Sequence, residues 1–103
     1  METVRIFDSL VSSGKFQEAS IHLTDDFEWI APNKKLDKVG WLGTASKTKC
    51  KDLPVYGDFE HGSNKLQVTR KGTKRILMMT VSLIQTLELT EDGKIRQISV
   101  AKV

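Results

Sequence analysis

The side chains that could carry acid–base chemistry are concentrated near residue 25. Asp25, Asp26 and Glu28 form a carboxylate cluster, and two carboxylates on one strand face can act as general acid and general base. His22 precedes them, and its imidazole could serve as a general base because it titrates near neutral pH. A solvated strand edge explains the carboxylates more simply, and His22 flanks an apolar helical stripe. These residues therefore predict no catalytic group by themselves.

The histidine and cysteine content predicts no metal site. The chain has two histidines, His22 and His61, and one cysteine, Cys50, and their spacing does not match that of zinc ligands. Neither a glycine-rich phosphate loop nor a Gly-x-Ser-x-Gly elbow occurs in the sequence. We therefore expect neither a metal nor a cofactor.

The composition predicts one globular domain spanning residues 1–103. Hydrophobic residues make up 39% of the chain and charged residues 28%, a balance that excludes a disordered tail. The longest apolar run is too short to cross a membrane, and no secretory signal follows Met1. The lone Cys50 cannot form an intrachain disulfide, which favours a reducing compartment. We expect a cytoplasmic protein with no membrane partner.

Two basic stretches, residues 33–51 and 65–75, carry most of the positive charge of a chain whose net charge is +3. If they adjoined in space, they could form a patch that faces an anion or an RNA. Trp41 is the only aromatic residue in either stretch, so the stacking platform of single-strand binders is missing. The sequence therefore disfavours nucleic-acid binding and favours solvated loops and hairpin ends.

Hydrophobic spacing predicts helices at the N-terminus and strands after them. Apolar residues recur at helical spacing over residues 4–11 and again over residues 16–23, with Gly14 as the break between them. Alternation over residues 26–31 predicts a strand, and Asp37 is a good N-cap for a short third helix. Helices followed by antiparallel strands are typical of the α+β class.

Four further strands are expected after Pro54. They are residues 55–61, 65–70, 74–89 and 95–103, separated by turns at residues 62–64, 71–72 and 92–93. Both faces of the strand 74–89 need cover, because Met78 and Ile84 on one face oppose an equally apolar face that includes Leu83. Helices would cover one face, and a second copy of this chain is the simplest cover for the other. The sequence thus predicts a homodimer through the outer sheet face.

Gln85 is a lone amide in a row of Leu, Met and Val residues on that strand. A buried amide without partners costs about 1–3 kcal/mol, so Gln85 either bonds to backbone or a buried water, or provides the polar contact of an apolar small-molecule pocket. The pocket interpretation predicts that Gln85→Leu preserves or raises stability while it weakens ligand binding.

Three segments of the chain carry a family resemblance. They read GKF to LTDDFEWIAP over residues 14–32, LDKVGWL over residues 36–42, and EDGKI over residues 91–95. In these segments and in the order of its elements, the chain resembles the nuclear-transport-factor-2-like superfamily, which includes SnoaL-like cyclases and ketosteroid isomerases. The resemblance implies a cystatin-like cone, in which N-terminal helices pack on a curved antiparallel sheet around an internal pocket. It also agrees with dimerisation through the outer sheet face.

The ketosteroid isomerases provide a residue-by-residue test of activity. Their oxyanion-holding tyrosine falls on Phe7, which has no hydroxyl, and their catalytic aspartate falls on Ala31, which cannot move a proton. Their second oxyanion donor falls on Gln85, which keeps a donor but no acid. The resemblance therefore implies the pocket without the isomerase chemistry, and no catalytic residue is assigned.

The function favoured by the sequence is a pocket domain that binds a small apolar or aromatic molecule without catalysis. The alternatives are a SnoaL-like cyclase, isomerase or dehydratase-type enzyme using His22 or Asp26, and a dimerisation or protein-interaction module with a collapsed pocket. Strand parity and the family positions place six ligand-binding residues in one cavity: Phe7, Trp29, Ala31, Trp41, Leu83 and Gln85.

Overall fold

A computed structural model describes residues 2–47, 55–61 and 66–102 of the chain. In chain order, the helices and strands are α1 (Glu2–Ser12), α2 (Phe16–Ser20), β1 (Leu23–Ala31), β2 (Lys34–Asp37), α3 (Lys38–Lys47), β3 (Val55–His61), β4 (Gln67–Ile76), β5 (Met79–Leu89) and β6 (Ile95–Lys102). The strands form a six-stranded sheet with the order β2-β1-β6-β5-β4-β3. Helices packed on one curved, unclosed sheet confirm the predicted α+β class.

The sheet is mixed rather than wholly antiparallel as the sequence predicted. Strand β6 lies between β5, with which it forms an antiparallel hairpin, and β1, with which it runs parallel. The β5–β6 hairpin sets the direction of β6. Strand β1, on the other side of β6, is far from it in the sequence, so no tight turn prevents the two strands from running parallel. The β1–β6 pairing changes register between Leu23 and Glu28, and such irregularities bend strands and increase their twist.

The core lies where the helices cover the concave face of the sheet. Val4 and Phe7 of α1 and Ala19 of α2 are buried at helical spacing, as the apolar pattern predicted. They pack against inward-facing strand residues that are almost inaccessible to solvent, namely Leu23, Phe27, Val68, Leu87, Ile95 and Ile98. These residues form one core cluster that joins α1 and α2 to the inward face of the sheet.

The sequence predicted the N-cap of α3 correctly, but it did not predict the end of α2 or the strand β2. Gly40 donates its backbone N–H to Oδ1 of Asp37 at 2.7 Å, so Asp37 is the predicted N-cap of α3. The second helix ends at Ser20, and Leu23, which we expected in that helix, is the first residue of β1. Strand β2 was not predicted. It pairs with β1 through the two-residue turn that follows Ala31.

The predicted turn at residues 71–72 and the predicted strand 74–89 are wrong. Strand β4 continues through Gly72, which pairs with Leu83, and the hairpin turns instead at Leu77 and Met78. Leu77 has a positive φ of 55°, a conformation that this turn position usually gives to glycine. A Leu-Met pair carries no sequence signal for a turn, so the error was unavoidable from pattern alone. The corrected register places Arg70 in the middle of β4, directly opposite Gln85.

The outer sheet face is less apolar than the sequence suggested. Thr80 and Ser82 on β5 are exposed and Ile84 is half-buried, while Met78 belongs to the turn, where it is 94% exposed. The homodimer through this face stays a prediction. No helix among the described residues is both long and apolar enough to span a membrane.

Candidate functional site

A cavity of about 920 Å³ lies between the helices and the concave face of the sheet. Its wall includes all six residues that the sequence grouped together, Phe7, Trp29, Ala31, Trp41, Leu83 and Gln85. Strand alternation places the residues of β1 and β5 inward, and α1 and α3 contribute the other two. The structure therefore brings the six residues into one cavity, and their ligand-binding role stays a prediction.

The aromatic residues form the helical side of the cavity. The ring centroids of Phe7 and Trp41 are 5.5 Å apart, and their planes are tilted by 33°. Trp41 also makes edge-on contacts with Phe16 and Phe27, so its indole is fixed within the core while one side faces the cavity. Trp29 is half-buried and belongs to the same wall. This arrangement provides flat apolar surface whose position is set by aromatic packing.

A buried arginine lies on the sheet side of the cavity. Arg70 is only 5% exposed, and its Nη1 and Nη2 donate to the two carboxylate oxygens of Asp8 at 2.5 and 2.8 Å. Its Nε donates to Oε1 of Gln85 at 2.5 Å. The bidentate geometry is the strong form of the arginine–carboxylate interaction. Residues from α1, β4 and β5 are thereby joined in one network beside the cavity.

The hydrogen bond from Arg70 fixes the orientation of the Gln85 amide. A guanidinium has no acceptor, so the Gln85 atom facing Nε must be the carbonyl oxygen, and the NH₂ group points elsewhere. Among the described residues, that nitrogen has no hydrogen-bond partner, and it is not one of the fully buried unpartnered atoms. Since Gln85 lines the cavity, its two N–H donors are available there to a ligand.

Tyr56 of β3 completes the polar side of the cavity. The guanidinium carbon of Arg70 lies 4.1 Å from the centroid of the Tyr56 ring, a cation–π contact. Burial raises the pKa of Tyr56, with a smaller contribution from the negative charge of Asp8, although the charge of Arg70 acts in the opposite direction. The phenol is therefore protonated at neutral pH and can act as a hydrogen-bond donor.

Asp8, Arg70 and Tyr56 were not predicted as residues of the site. Arg70 was included in a basic stretch interpreted as solvated, because the predicted turn at residues 71–72 placed it at a hairpin end. One signal was present: a buried Gln85 requires a partner, and the partner is the residue directly across the ladder. Asp8 follows Phe7 in α1, and nothing local distinguishes it from a surface carboxylate.

The residues considered for catalysis do not lie in the cavity. Asp26 is exposed on β1, and neither it nor His22 belongs to the cavity wall. The carbonyl of His22 instead accepts the backbone N–H of Ile95 at 2.8 Å, which joins the end of α2 to β6. Cys50 and the turn at residues 62–64 fall outside the described residues.

We now expect Gln85→Leu to destabilise the protein, contrary to the expectation from sequence. The substitution removes the acceptor that Gln85 offers to the buried Nε of Arg70, and loss of such a hydrogen bond costs about 1–3 kcal/mol. The matched variant Gln85→Glu keeps a carboxylate oxygen as an acceptor for Nε and should therefore lose less stability. Urea unfolding of both variants measures the difference, and equal stability of Gln85→Leu and the wild type would contradict the assigned hydrogen bond.

Tyr56 should titrate above its ordinary pKa of 10.0. It is the only tyrosine in the chain, so tyrosinate absorbance reports on it alone. As the pH rises, the unfolded chain releases this proton before the folded protein does. The contribution of Tyr56 to the free energy of unfolding is therefore complete below about pH 10 and is lost as the pH rises through the pKa of Tyr56 in the folded protein. Tyr56→Phe should reduce the alkaline fall in the free energy of unfolding. A midpoint at or below 10 would contradict burial of the phenol.

Solved structures with the same fold share little sequence with this chain. A nuclear-transport-factor-2-like protein of unknown function from Cytophaga hutchinsonii has a TM-score of 0.79 at 15% identity, over 98% of this chain and 87% of that one. A steroid Δ-isomerase from Pseudomonas aeruginosa has a TM-score of 0.79 at 13% identity, over 99% and 77%. The epoxide hydrolase/cyclase-like enzyme SalBIII, of salinomycin pyran ring formation, has a TM-score of 0.75 at 13% identity, over 99% and 88%.

No protein-family model and no curated protein matches the chain. Similar structures at 13% to 15% identity establish a shared fold, and one fold supports many activities. These structures include proteins of unknown function as well as isomerase- and cyclase-like enzymes. The chain therefore has the same fold as these nuclear-transport-factor-2-like structures, with helices closing the concave face of a curved sheet, as the resemblance predicted.

Proposed function

We propose that this protein binds a small molecule without catalysing a reaction on it. The ligand has a flat apolar body and an oxygen acceptor, such as a carbonyl group. The observation that carries the proposal is a pair of hydrogen-bond donors on a cavity wall that is mainly apolar. The amide nitrogen of Gln85 has no partner among the described residues, and the raised pKa of Tyr56 keeps its hydroxyl protonated. A ligand must therefore bring acceptors.

The size and wall of the cavity support the same function. Small-molecule sites commonly have volumes of about 300–1,000 Å³ and are mainly apolar, with a few placed polar groups. The cavity of about 920 Å³ falls within this range. Trp29 and Phe7 offer ring surface for stacking, and Ala31 leaves space where the isomerases are expected to have a carboxylate. A flat ring system satisfies these constraints better than a compact polar metabolite.

The cavity volume argues against the alternative of a collapsed pocket. That alternative requires Phe7, Trp29 and Leu83 to fill the interior, whereas these side chains lie in the wall of an empty space. An interaction module with the same outer surface would gain nothing from retaining buried donors, which are costly when unpartnered. Ligand binding is therefore preferred over a purely structural role.

One observation supports the enzyme alternative with different residues from those first considered. Asp8 and Tyr56 line the same cavity, and a carboxylate with a protonated phenol could act as base and acid in an isomerase-, cyclase- or dehydratase-type reaction. Both oxygens of Asp8 already accept hydrogen bonds from Arg70, which suits a structural pair. We therefore rank binding first and enzyme second.

Ligand binding can be tested with two matched aromatic probes, 2-acetylnaphthalene and 2-ethylnaphthalene. The ketone supplies an acceptor and the hydrocarbon does not, so we expect saturable quenching of tryptophan fluorescence by both and about fivefold tighter binding of the ketone, which one hydrogen bond of about 1 kcal/mol provides. Gln85→Glu, which removes the amide donors, should abolish the preference.

The control for location is a pair of small-to-large substitutions. Ala31→Phe fills the cavity and should prevent binding, whereas Ser9→Phe places the same side chain on the exposed face of α1 and should leave binding unchanged. Quenching that survives Ala31→Phe would place the probe elsewhere and refute the proposed site.

A further inference from the structure

We infer that the ligand of this cavity also carries an anionic group, which a rim of three lysines recognises at one end of the sheet. The lysine rim consists of Lys34, Lys74 and Lys102, all of which line the cavity. The inference rests on the proposed binding function and narrows the ligand to an apolar, flat molecule with a carboxylate or similar anion. A neutral ligand would leave the rim without a role.

The sheet register places the three lysines at the same end of the cavity. Lys102 lies opposite Leu83, and Lys74 lies opposite Val81, which is two residues nearer to the start of β5. Lys34 begins β2 opposite Ala31, at the end of β1, which runs parallel to β6. The ends of β1, β4 and β6 and the starts of β2 and β5 thus lie at the same end of the sheet.

The charges of the cavity wall are strongly unbalanced. Among the described residues that line it, four side chains are cationic and Asp8 is the only carboxylate. Asp8 is committed to Arg70 through both oxygens. The described residues provide no ion pair or hydrogen bond to the side chains of the lysine rim, whereas Lys35 beside it pairs with Glu28 at 2.6 Å. The rim therefore presents positive charge that no side chain in the described part of the chain neutralises.

Apolar side chains separate the rim from the polar groups deeper in the cavity. On β5, Val81 lies opposite Lys74 and Leu83 lies opposite Lys102, and both apolar side chains share the inward face with Gln85. Four residues of strand separate Val81 from Gln85, which is about 13 Å at the usual rise per residue. A ligand with an acceptor at one end, an aromatic body and an anion at the other end spans this distance. Low-dielectric walls strengthen the attraction between the anion and the ammonium groups.

Many exposed lysines have no role beyond contact with solvent. The sheet register distinguishes Lys74 of the lysine rim from a lysine of that kind on the same strand. Lys71 lies on the same strand as Lys74, but an odd number of residues away, so it points to the outer sheet face opposite Ile84. It is exposed and does not line the cavity. Lys71 therefore provides a matched control for Lys74: the strand, charge and side chain are the same, and only the face differs.

The test compares 6-acetyl-2-naphthoate with the isosteric neutral 6-acetyl-2-naphthamide, using tryptophan fluorescence titration at low and high salt. We expect the carboxylate to bind about tenfold more tightly, and Lys74→Gln and Lys102→Gln each to reduce this ratio about threefold, as exposed or partly buried ion pairs do. Lys71→Gln should leave the ratio unchanged. About 1 M salt should also reduce it, because screening then acts over about 3 Å.

The outcomes separate this inference from the function on which it rests. If the wild type binds the acid and the amide equally well and Ala31→Phe binds neither, the inference of an anionic ligand is refuted and the proposed binding function is retained. An equal loss of preference in Lys71→Gln and Lys74→Gln would show general surface attraction and would overturn the rim. Absence of binding by either compound would overturn both the inference and the proposed function.

Discussion

The concave side of this structure depends on the burial of one guanidinium group. Arg70 cannot lose its charge and carries only donors, so at 5% exposure it must find its acceptors within the protein. Asp8 on α1 supplies two carboxylate oxygens and Gln85 on β5 supplies one carbonyl oxygen, while the ring of Tyr56 on β3 covers the guanidinium. A single side chain of β4 therefore ties a helix and two neighbouring strands together.

This network explains why the cavity combines apolar walls with a small number of donors. Arg70 uses both carboxylate oxygens of Asp8 and the carbonyl oxygen of Gln85, so on this side of the cavity the amide nitrogen of Gln85 and the phenol of Tyr56 are left as donors. The aromatic packing of Trp41 against three phenylalanine rings fixes the opposite wall. The cavity therefore lies between an ion pair on one side and an aromatic cluster on the other.

The sequence predicted those features that depend on local chemistry and parity. The N-cap at Asp37 and the inward faces of β1 and β5 follow from residue types and alternation, and the cavity contains all six residues assigned to it. The turn at Leu77 and Met78 could not be predicted, because its residues are not turn formers and Leu77 adopts a positive φ imposed by the hairpin. That one error displaced Arg70 from the middle of a strand and concealed the charged partner of Gln85. Asp8 is brought to Arg70 by tertiary packing across 62 residues of chain, which no local pattern encodes.

The claim that the Asp8–Arg70 pair supports the cavity is tested most directly by a double-mutant cycle on the free energy of unfolding. Asp8→Ala removes the carboxylate that pairs with the buried guanidinium of Arg70 and should cost about 3 kcal/mol, whereas adding Arg70→Met removes the charge itself and should recover much of the loss. The account predicts that the double variant is more stable than Asp8→Ala. Additive losses, with the double variant the least stable of the set, would contradict it.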